Sequence, residues 1–220
     1  MSYYIGIDIQ VRRNCCYAVV NTNGTLIDSG WFDRPLPEAA LLVTKWSRSG
    51  RVCVGLDAPS VSLSAPREWY WNRTRGRWVR RGRQKGYGRH CEVIISAHGI
   101  ARPQWTPVID HAPAWMKLGF GLHSALEELA TVYEVFPSAA YTLLQGDRDV
   151  RVRTDFSACK PGPKDMLDAL VAAATVRERA EGRGSEVGGG DGLGAIILPR
   201  PLPEPVIEEV LAWPGQRPAR

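Results

Sequence analysis

The stretch YYIGIDI at residues 3–9 is an apolar run with a single carboxylate, Asp8, set into it. Short apolar runs of this kind are typical of buried strands in a sheet. Side chains alternate between the two faces of a strand, so Gly6 and Asp8 share one face. Because a buried carboxylate is costly unless a hydrogen-bond donor or a cation compensates it, Asp8 needs a partner elsewhere in the chain.

A second stretch, RVCVGLD at residues 51–57, repeats this pattern, with Gly55 and Asp57 on one face. If the two strands are parallel neighbours, Asp8 and Asp57 meet at one edge of the sheet, where open α/β sheets place their sites. The missing side chains of the glycines are expected to leave room for an ion, a water or a substrate phosphate. A turn or helix-cap role for Asp57 is an equally good interpretation.

A long helix predicted over residues 163–181 supplies further acids. Asp165 and Asp168 are three residues apart, so they project from one face of it, and the alanines that follow let the helix lie close to the sheet. For Asp165, complementing the helix dipole is the favoured alternative. Glu134 is a fourth acid, in a predicted strand at residues 131–136. Acids from separate elements repel one another unless a cation joins them, and oxygen-only ligands suit Mg²⁺ or Mn²⁺.

The positive charge of the chain is concentrated in one segment. Residues 67–89 hold nine basic residues and one acid, a net charge of +8, so the rest of the chain sums to −3. Guanidinium groups bind phosphates bidentately, and the interleaved aromatic rings can stack on unpaired bases. Nucleic-acid contact is therefore favoured over a solvated loop. The predicted contact residues are Arg73, Arg75, Arg77, Trp78, Arg80, Arg81, Arg83 and Lys85.

Composition excludes several classes of protein. No apolar run approaches the ~20 residues that a membrane span requires, and no secretory pattern opens the chain. The five cysteines are odd in number and lack C-x-x-C spacing, which argues against a zinc site or a disulfide framework. We therefore expect a cytoplasmic protein with reduced thiols and no membrane partner.

The order of predicted elements is that of an α/β domain. Three hairpin-linked strands are followed by a helix over residues 37–47 and a fourth strand; a basic insertion at about 62–112 precedes a helix, a fifth strand and further helices. We expect a mixed sheet with helices on both faces. One domain covers 1–199, and a proline-rich tail, 200–220, docks either on it or on a partner.

These motifs together resemble a known family, the predicted nucleases catalogued as domain of unknown function 429. That family is similar to the RNase H-like superfamily, which includes RuvC-type resolvases. The resemblance covers about residues 3–199 and is carried by GID at 6–8, GLDAP at 55–59, RHCE at 89–92, YEVFPSA at 133–139 and KDMLDAL at 164–170.

The resemblance implies a five-stranded mixed sheet with the first strand between the third and the fourth. It also implies metal-binding acids on the first strand, the fourth strand and a late helix. Here those are Asp8, Asp57 and Asp168, with Asp165 as a substitute for the last. Three further residues, Glu134, Arg89 and Glu92, match family motifs whose chemical role is not established. The insertion is more basic than expected of the family, so its role is not implied.

The leading hypothesis is therefore a nuclease that uses Mg²⁺ or Mn²⁺ to hydrolyse DNA or RNA by a two-metal-type mechanism. A nucleotide-binding phosphotransferase of the actin and sugar-kinase type opens with similar strands. However, residues 9–14 lack the Gly/Ser/Thr-rich phosphate hairpin of that class, and GGG at 188–190 leads into a strand. A third hypothesis is a nucleic-acid-binding module without catalysis. The sequence does not predict the oligomeric state.

Overall fold

The computed structural model describes residues 1–82, 86–145 and 163–214 of the chain. Its strands are β1 (Ser2–Asp8), β2 (Cys15–Asn21), β3 (Leu26–Phe32), β4 (Arg51–Asp57), β5 (Trp69–Asn72), β6 (Arg77–Arg80), β7 (Thr131–Val135), β8 (Ser185–Gly188) and β9 (Ala195–Leu198). Its helices are α1 (Pro35–Ser47), α2 (His90–Ala97), α3 (Ala114–Glu127), α4 (Pro137–Leu144), α5 (Pro163–Ala180) and α6 (Glu208–Leu211), with a 3₁₀ turn at Ile109–His111.

The central sheet has seven strands in the order β3-β2-β1-β4-β7-β9-β8. Strands β1, β4, β7 and β9 run parallel to one another, while β2, β3 and β8 pair with their neighbours in antiparallel fashion. The mixed α/β class is confirmed. The predicted count of five strands is wrong, because β9 and the short strand β8 extend the sheet beyond β7. The first strand lies between β2 and β4, and not between the third and the fourth.

Helices cover both faces of the sheet, as predicted, because alternate residues of β1 point to opposite sides. On one face Ile5 and Ile7 pack against α1 and α3. On the other face Tyr4 packs against the alanine-rich side of α5, which contacts β1, β2 and β4. Asp8 belongs to the α5 face, so the strand alternation alone directs its side chain toward that helix.

Gly6 and Gly55 allow α5 to lie directly on the sheet. A Cβ atom added to Gly6 would lie 1.9 Å from the carbonyl oxygen of Ala169, and one added to Gly55 would lie 2.7 Å from Cγ2 of Val176. Both distances are well below the ~3.5 Å of an ordinary carbon contact. The missing side chains therefore accommodate a helix, and the prediction that they leave room for an ion, a water or a phosphate is wrong.

The insertion at residues 62–112 holds regular structure that the sequence pattern did not indicate. Strands β5 and β6 form a separate antiparallel hairpin that pairs Trp71 with Trp78, and α2 follows it. Helix α2 is short and mostly buried, so it shows no alternation of apolar and polar faces. A third hydrophobic cluster is formed by residues of the β5–β6 hairpin, α2, β8 and β9.

The described part of the proline-rich tail, residues 200–214, docks on this insertion. The rings of Trp213 and Trp78 have centroids 5.1 Å apart. The indole Nε1 of Trp78 donates a hydrogen bond of 3.1 Å to the carbonyl oxygen of Glu209, and the Arg67 guanidinium lies 4.7 Å from the Trp213 ring centroid. Up to residue 214 the tail is therefore part of the fold.

Two predictions made from composition, on membrane-spanning segments and on disulfides, can be compared with the structure. Within residues 1–82, 86–145 and 163–214, no helix has the length and apolarity needed to cross a membrane. The cysteines of the same ranges, Cys15, Cys16, Cys53 and Cys91, are free and buried, which agrees with the expected absence of a disulfide framework there. The fifth cysteine, Cys159, lies outside the described residues.

Candidate active site

Asp8 and Asp57 lie side by side at the carboxyl ends of β1 and β4. The two strands are parallel and in register, so Asp8 is the partner of Asp57. Both residues line one pocket of about 320 Å³, hereafter the acidic pocket, together with Asp168 from α5. The structure thus brings into one pocket the three acids that the sequence proposes as metal ligands.

Burial raises the pKa of the two strand carboxyls. Asp8 is 3% exposed, and its pKa rises to about 6 because of burial, opposed by a hydrogen bond from Gln10 and reinforced by the charges of Asp168 and Asp165. The pKa of Asp57 lies well above its ordinary value, first because the surrounding protein shields the carboxylate from water and then because of the negative charges of Asp8 and Asp168. Perturbed carboxyls in a cleft are typical of functional sites.

Asp8 and Asp57 retain oxygen atoms for a ligand. The side-chain amide of Gln10 donates one hydrogen bond of 2.9 Å to Oδ2 of Asp8. Asp57 is partly exposed to the pocket, and no described residue donates a hydrogen bond to its carboxylate. Because carboxylates with so few donors are destabilising in a buried site, a bound cation would compensate them.

Asp168 is held by two donors of its own. The Tyr141 hydroxyl donates to Oδ1 at 2.6 Å, and the Lys164 ammonium donates to Oδ2 at 2.5 Å. The pKa of Lys164 is raised, first by this hydrogen bond and further by the charges of Asp168, Asp8 and Asp57. The lysine therefore already neutralises part of the acidic pocket. Its position one helical turn before Asp168 was the signal in the sequence that could have identified it.

The donor set agrees chemically with Mg²⁺ or Mn²⁺, which prefer carboxylate oxygen. No group of three or more His, Cys, Asp or Glu side chains already arranged to hold a metal ion is found in the described ranges. To bind an ion together with Asp8 and Asp57, Asp168 would have to give up its hydrogen bond with Lys164. The metal cofactor therefore stays a prediction.

Asp165, the proposed substitute for Asp168, lies outside the lining of the acidic pocket. It is buried and forms an ion pair with Arg13, with Nη1 and Oδ2 3.0 Å apart. Arg13 belongs to the connection between β1 and β2, so this pair fastens α5 to the sheet. Of the two helix acids, Asp168 is the better candidate ligand.

Glu134 belongs, with the RHCE motif, to a second set of buried charges, hereafter the arginine cluster. Nη1 of the fully buried Arg89 lies 2.7 Å from Oε2 of Glu134, and Nε lies 3.0 Å from Oε1 of Glu92. The Ser60 backbone N–H donates to Glu134 at 2.8 Å, and that of Thr106 donates to Glu92 at 3.0 Å. Burial would lower the pKa of Arg89, but the charge of Glu134 raises it above its ordinary value. These hydrogen bonds indicate a structural role for Glu134, so we do not include it among the proposed catalytic residues.

Four further polar side chains line the acidic pocket, and of these only Ser138 belongs to a motif noted in the sequence, YEVFPSA at 133–139. Three of them come from loops that the fold brings to the carboxyl edge of the sheet, which is why sequence spacing does not reveal them, and Ser138 belongs to the first turn of α4. They are Gln10, Arg102, Gln104 and Ser138.

The predicted nucleic-acid contacts separate into groups. Arg73 and Arg81 line a second pocket, between the β5–β6 hairpin and α2. Arg75 and Arg77 are exposed on the hairpin, and Arg80 forms an exposed ion pair of 2.9 Å with the glutamate at position 68. Arg73 and Arg81 therefore share a concave site, Arg80 lines a separate small pocket beside Arg81, and Arg75 and Arg77 are on the exposed surface of the hairpin.

The other three predicted contacts differ again. Trp78 packs between Trp71 and Trp213, with ring centroids 5.7 and 5.1 Å away, so its ring is engaged within the protein. Its contact with nucleic acid stays a prediction. Arg83 and Lys85 lie outside the described residues.

Comparison with known proteins provides no relative. No protein-family model, no curated protein and no solved structure matches this chain. The resemblance to the predicted nuclease family therefore stays a prediction, and the function has to be argued from the acidic pocket itself.

Proposed function

We propose that this protein is a divalent-metal-dependent nuclease that hydrolyses phosphodiester bonds of DNA or RNA. The observation that carries the proposal is the convergence of Asp8, Asp57 and Asp168 on one pocket, where Asp57 has no donor among the described residues. Carboxylates that repel one another in a cleft are stabilised together when a cation joins them. A bound Mg²⁺ or Mn²⁺ would activate the attacking water and stabilise the leaving oxygen.

We propose further that the core of the sheet is RNase H-like. Strands β3-β2-β1-β4-β7 make up its five-stranded part, with α1 between β3 and β4 and α3 before β7. Strands β9 and β8 are then an extension at the edge. This arrangement supports the resemblance, because it places acids on the first strand, the fourth strand and a late helix.

In this proposal the residues of the pocket have separate tasks. Asp8 and Asp57 would hold the ion, and Gln10 orients the Asp8 carboxylate through its 2.9 Å hydrogen bond. Tyr141 fixes Asp168 through a hydrogen bond to Oδ1, and Asp168 would join in holding the ion if its bond to Lys164 were given up. The released ammonium of Lys164 then supplies a positive charge to a substrate phosphate.

The test is cleavage of branched, single-stranded, duplex and hybrid oligonucleotides by the purified protein, with Mg²⁺, with Mn²⁺ and with EDTA. We expect ion-dependent cleavage that Asp8→Asn and Asp57→Asn each slow by about 100-fold or more, which corresponds to a rise of about 3 kcal/mol in the activation barrier. Asp110→Asn is the matched control, because this acid is exposed and lies outside the pocket. Cleavage that survives in both pocket variants would remove the metal-site assignment.

A nucleic-acid-binding module without catalysis is a second candidate, and Lys164 is the observation that favours it. Its ammonium already compensates Asp168, so the pocket is partly neutralised without an ion. Salt-sensitive binding with no cleavage under any ion would support this alternative. The phosphotransferase hypothesis gains no such support, because residues 188–190 end β8 and begin the turn to β9, and do not lead into a helix. ATP hydrolysis in the same assay would favour it.

A further inference from the structure

The second pocket, of about 400 Å³, has a lining unlike that of the acidic pocket. It lies between the β5–β6 hairpin and α2, and we call it the aromatic pocket. Its volume is in the range of ~300–1,000 Å³ that is usual for small-molecule sites. The rings that line it are those of Trp69, Tyr70, Trp71, Tyr87 and Trp105.

Two of these rings are exposed although they are large and mainly apolar. Trp105 is 42% exposed and Tyr87 is 37% exposed. The Trp105 ring lies against the backbone of Gly88, where an added Cβ would be 2.5 Å from the ring. The glycine thus supports one side of the indole, while much of the rest stays accessible. Exposed aromatic groups around a pocket indicate a binding site.

Arg73 and Arg81 give the aromatic pocket a positive charge that no described acid pairs with. Arg73 reaches the Ser96 hydroxyl at 3.4 Å. The guanidinium of Arg81 lies 5.2 Å from the Tyr70 ring centroid, and its buried Nε has no hydrogen-bond partner. Because a buried N–H without an acceptor is destabilising, this arrangement indicates a ligand that carries negative charge or acceptor atoms.

We infer that the aromatic pocket binds an unpaired nucleobase of a single-stranded nucleic acid, with Arg73 and Arg81 on the adjoining phosphates. Aromatic rings stack on every base, and guanidinium groups pair with phosphate oxygens. A proline-rich peptide also suits an aromatic groove, but it brings no anion for the two arginines. The charge of the pocket therefore favours the nucleotide.

The two pockets are neighbours. Pro103 and Gln104 line the acidic pocket, and Trp105, the next residue, lines the aromatic one. Helix α2 contributes to both in the same way, with Glu92 on one side and Val93 on the other. One consequence of this inference rests on the proposed nuclease function. If the protein is a nuclease, its substrate has an unpaired region beside the cleaved bond, and a continuous duplex is a poor substrate.

Binding is measured with the Asp8→Asn protein in EDTA, so that no cleavage interferes. One probe is a short single-stranded oligonucleotide, and the other has the same length and the same phosphates but abasic residues throughout. We expect the first to quench tryptophan fluorescence and to bind roughly 10-fold more tightly or better, in line with one stacked base. Adding Trp105→Ala should remove most of this preference and leave affinity for the abasic probe unchanged.

Arginine variants separate the phosphate contacts from the base contact. Arg81→Gln should weaken binding of both probes, whereas Arg48→Gln, which removes the same charge from the end of α1, should weaken neither. Circular dichroism verifies that each variant is folded.

Equal affinity for the two probes would overturn the inference, and so would quenching by a proline-rich peptide without a response to the oligonucleotide. Because no cleavage is measured, these results are independent of whether the nuclease assay succeeds.

Discussion

In the arginine cluster, Glu92 and Glu134 share one buried guanidinium and receive further bonds from backbone N–H groups. In the acidic pocket, the described residues give the Asp8 carboxylate one side-chain hydrogen bond, from Gln10, and give the Asp57 carboxylate none. Both sets of acids border the same pocket, and residues of both are buried or nearly so. They differ in the number of donors that the described residues provide.

This difference separates acids that stabilise the fold from acids for which we propose a bound ion. Where each carboxylate oxygen has a donor, removing the donor should destabilise the protein. Where donors are missing, removing the charge should stabilise the protein and abolish the proposed cleavage. Three substitutions test this contrast, and we take them from the largest expected change in stability to the smallest.

Arg89→Met should cost about 3–5 kcal/mol of unfolding free energy, because it leaves the charges of Glu92 and Glu134 buried without their cation. Urea denaturation at pH 7 measures the loss. The control is Arg48→Met, an exposed site where the change should be within about 0.5 kcal/mol. A loss below about 1 kcal/mol at position 89 would contradict a stabilising role for the arginine cluster.

Asp8→Asn should stabilise the protein by about 1–3 kcal/mol at pH 7, since a pKa raised to about 6 means that folding disfavours the charged form. The folded protein binds more protons than the unfolded chain between pH 4 and 6. Wild-type stability therefore falls as pH rises through that window, and the variant should lose the part of this slope that Asp8 contributes, while Asp57, whose pKa is also raised, keeps its own part. Unfolding curves at pH 4.5 and pH 8 measure both effects. A variant less stable than wild type at pH 8 would show that the carboxylate is compensated after all.

Lys164→Met should change stability least, by less than about 1 kcal/mol, because the ammonium is largely exposed and screened by solvent. Its effect should appear in ion binding, since Oδ2 of Asp168 no longer has a competing cation. We expect the Mg²⁺ concentration that half-saturates a thermal shift to fall several-fold relative to wild type. An unchanged midpoint would mean that Asp168 takes no part in holding the ion.

Much of the sheet could be predicted from the sequence because its strands are continuous apolar runs. Residues 3–9 and 51–57 identified β1 and β4, and the repeated Gly-x-Asp indicated that Asp8 and Asp57 would meet. The glycines themselves were misinterpreted, since a missing side chain equally suits an ion or a helix backbone. Only the packing of α5 distinguishes the two.

The partners of the buried acids could not be predicted from local pattern. Glu134 and Arg89 are 45 residues apart, and nothing in either motif states that they pair. Strand β8 was missed because its four residues, SEVG, are too few to show alternation. The aromatic pocket depends on Trp105 and the β5–β6 hairpin coming together, which is a property of the tertiary structure.

The tail contact has a consequence for the order in which the protein is completed. Trp78 and the carbonyl group of Glu209 that accepts its hydrogen bond are 131 residues apart, and Trp213 lies further still toward the carboxyl terminus. Because a ribosome makes the amino-terminal part first, the sheet strands β1 to β4 exist long before this acceptor does. The contact between the hairpin and the tail can therefore form only after residues 209–213 have been made, when Asp8, Asp57 and Asp168 are already part of the chain.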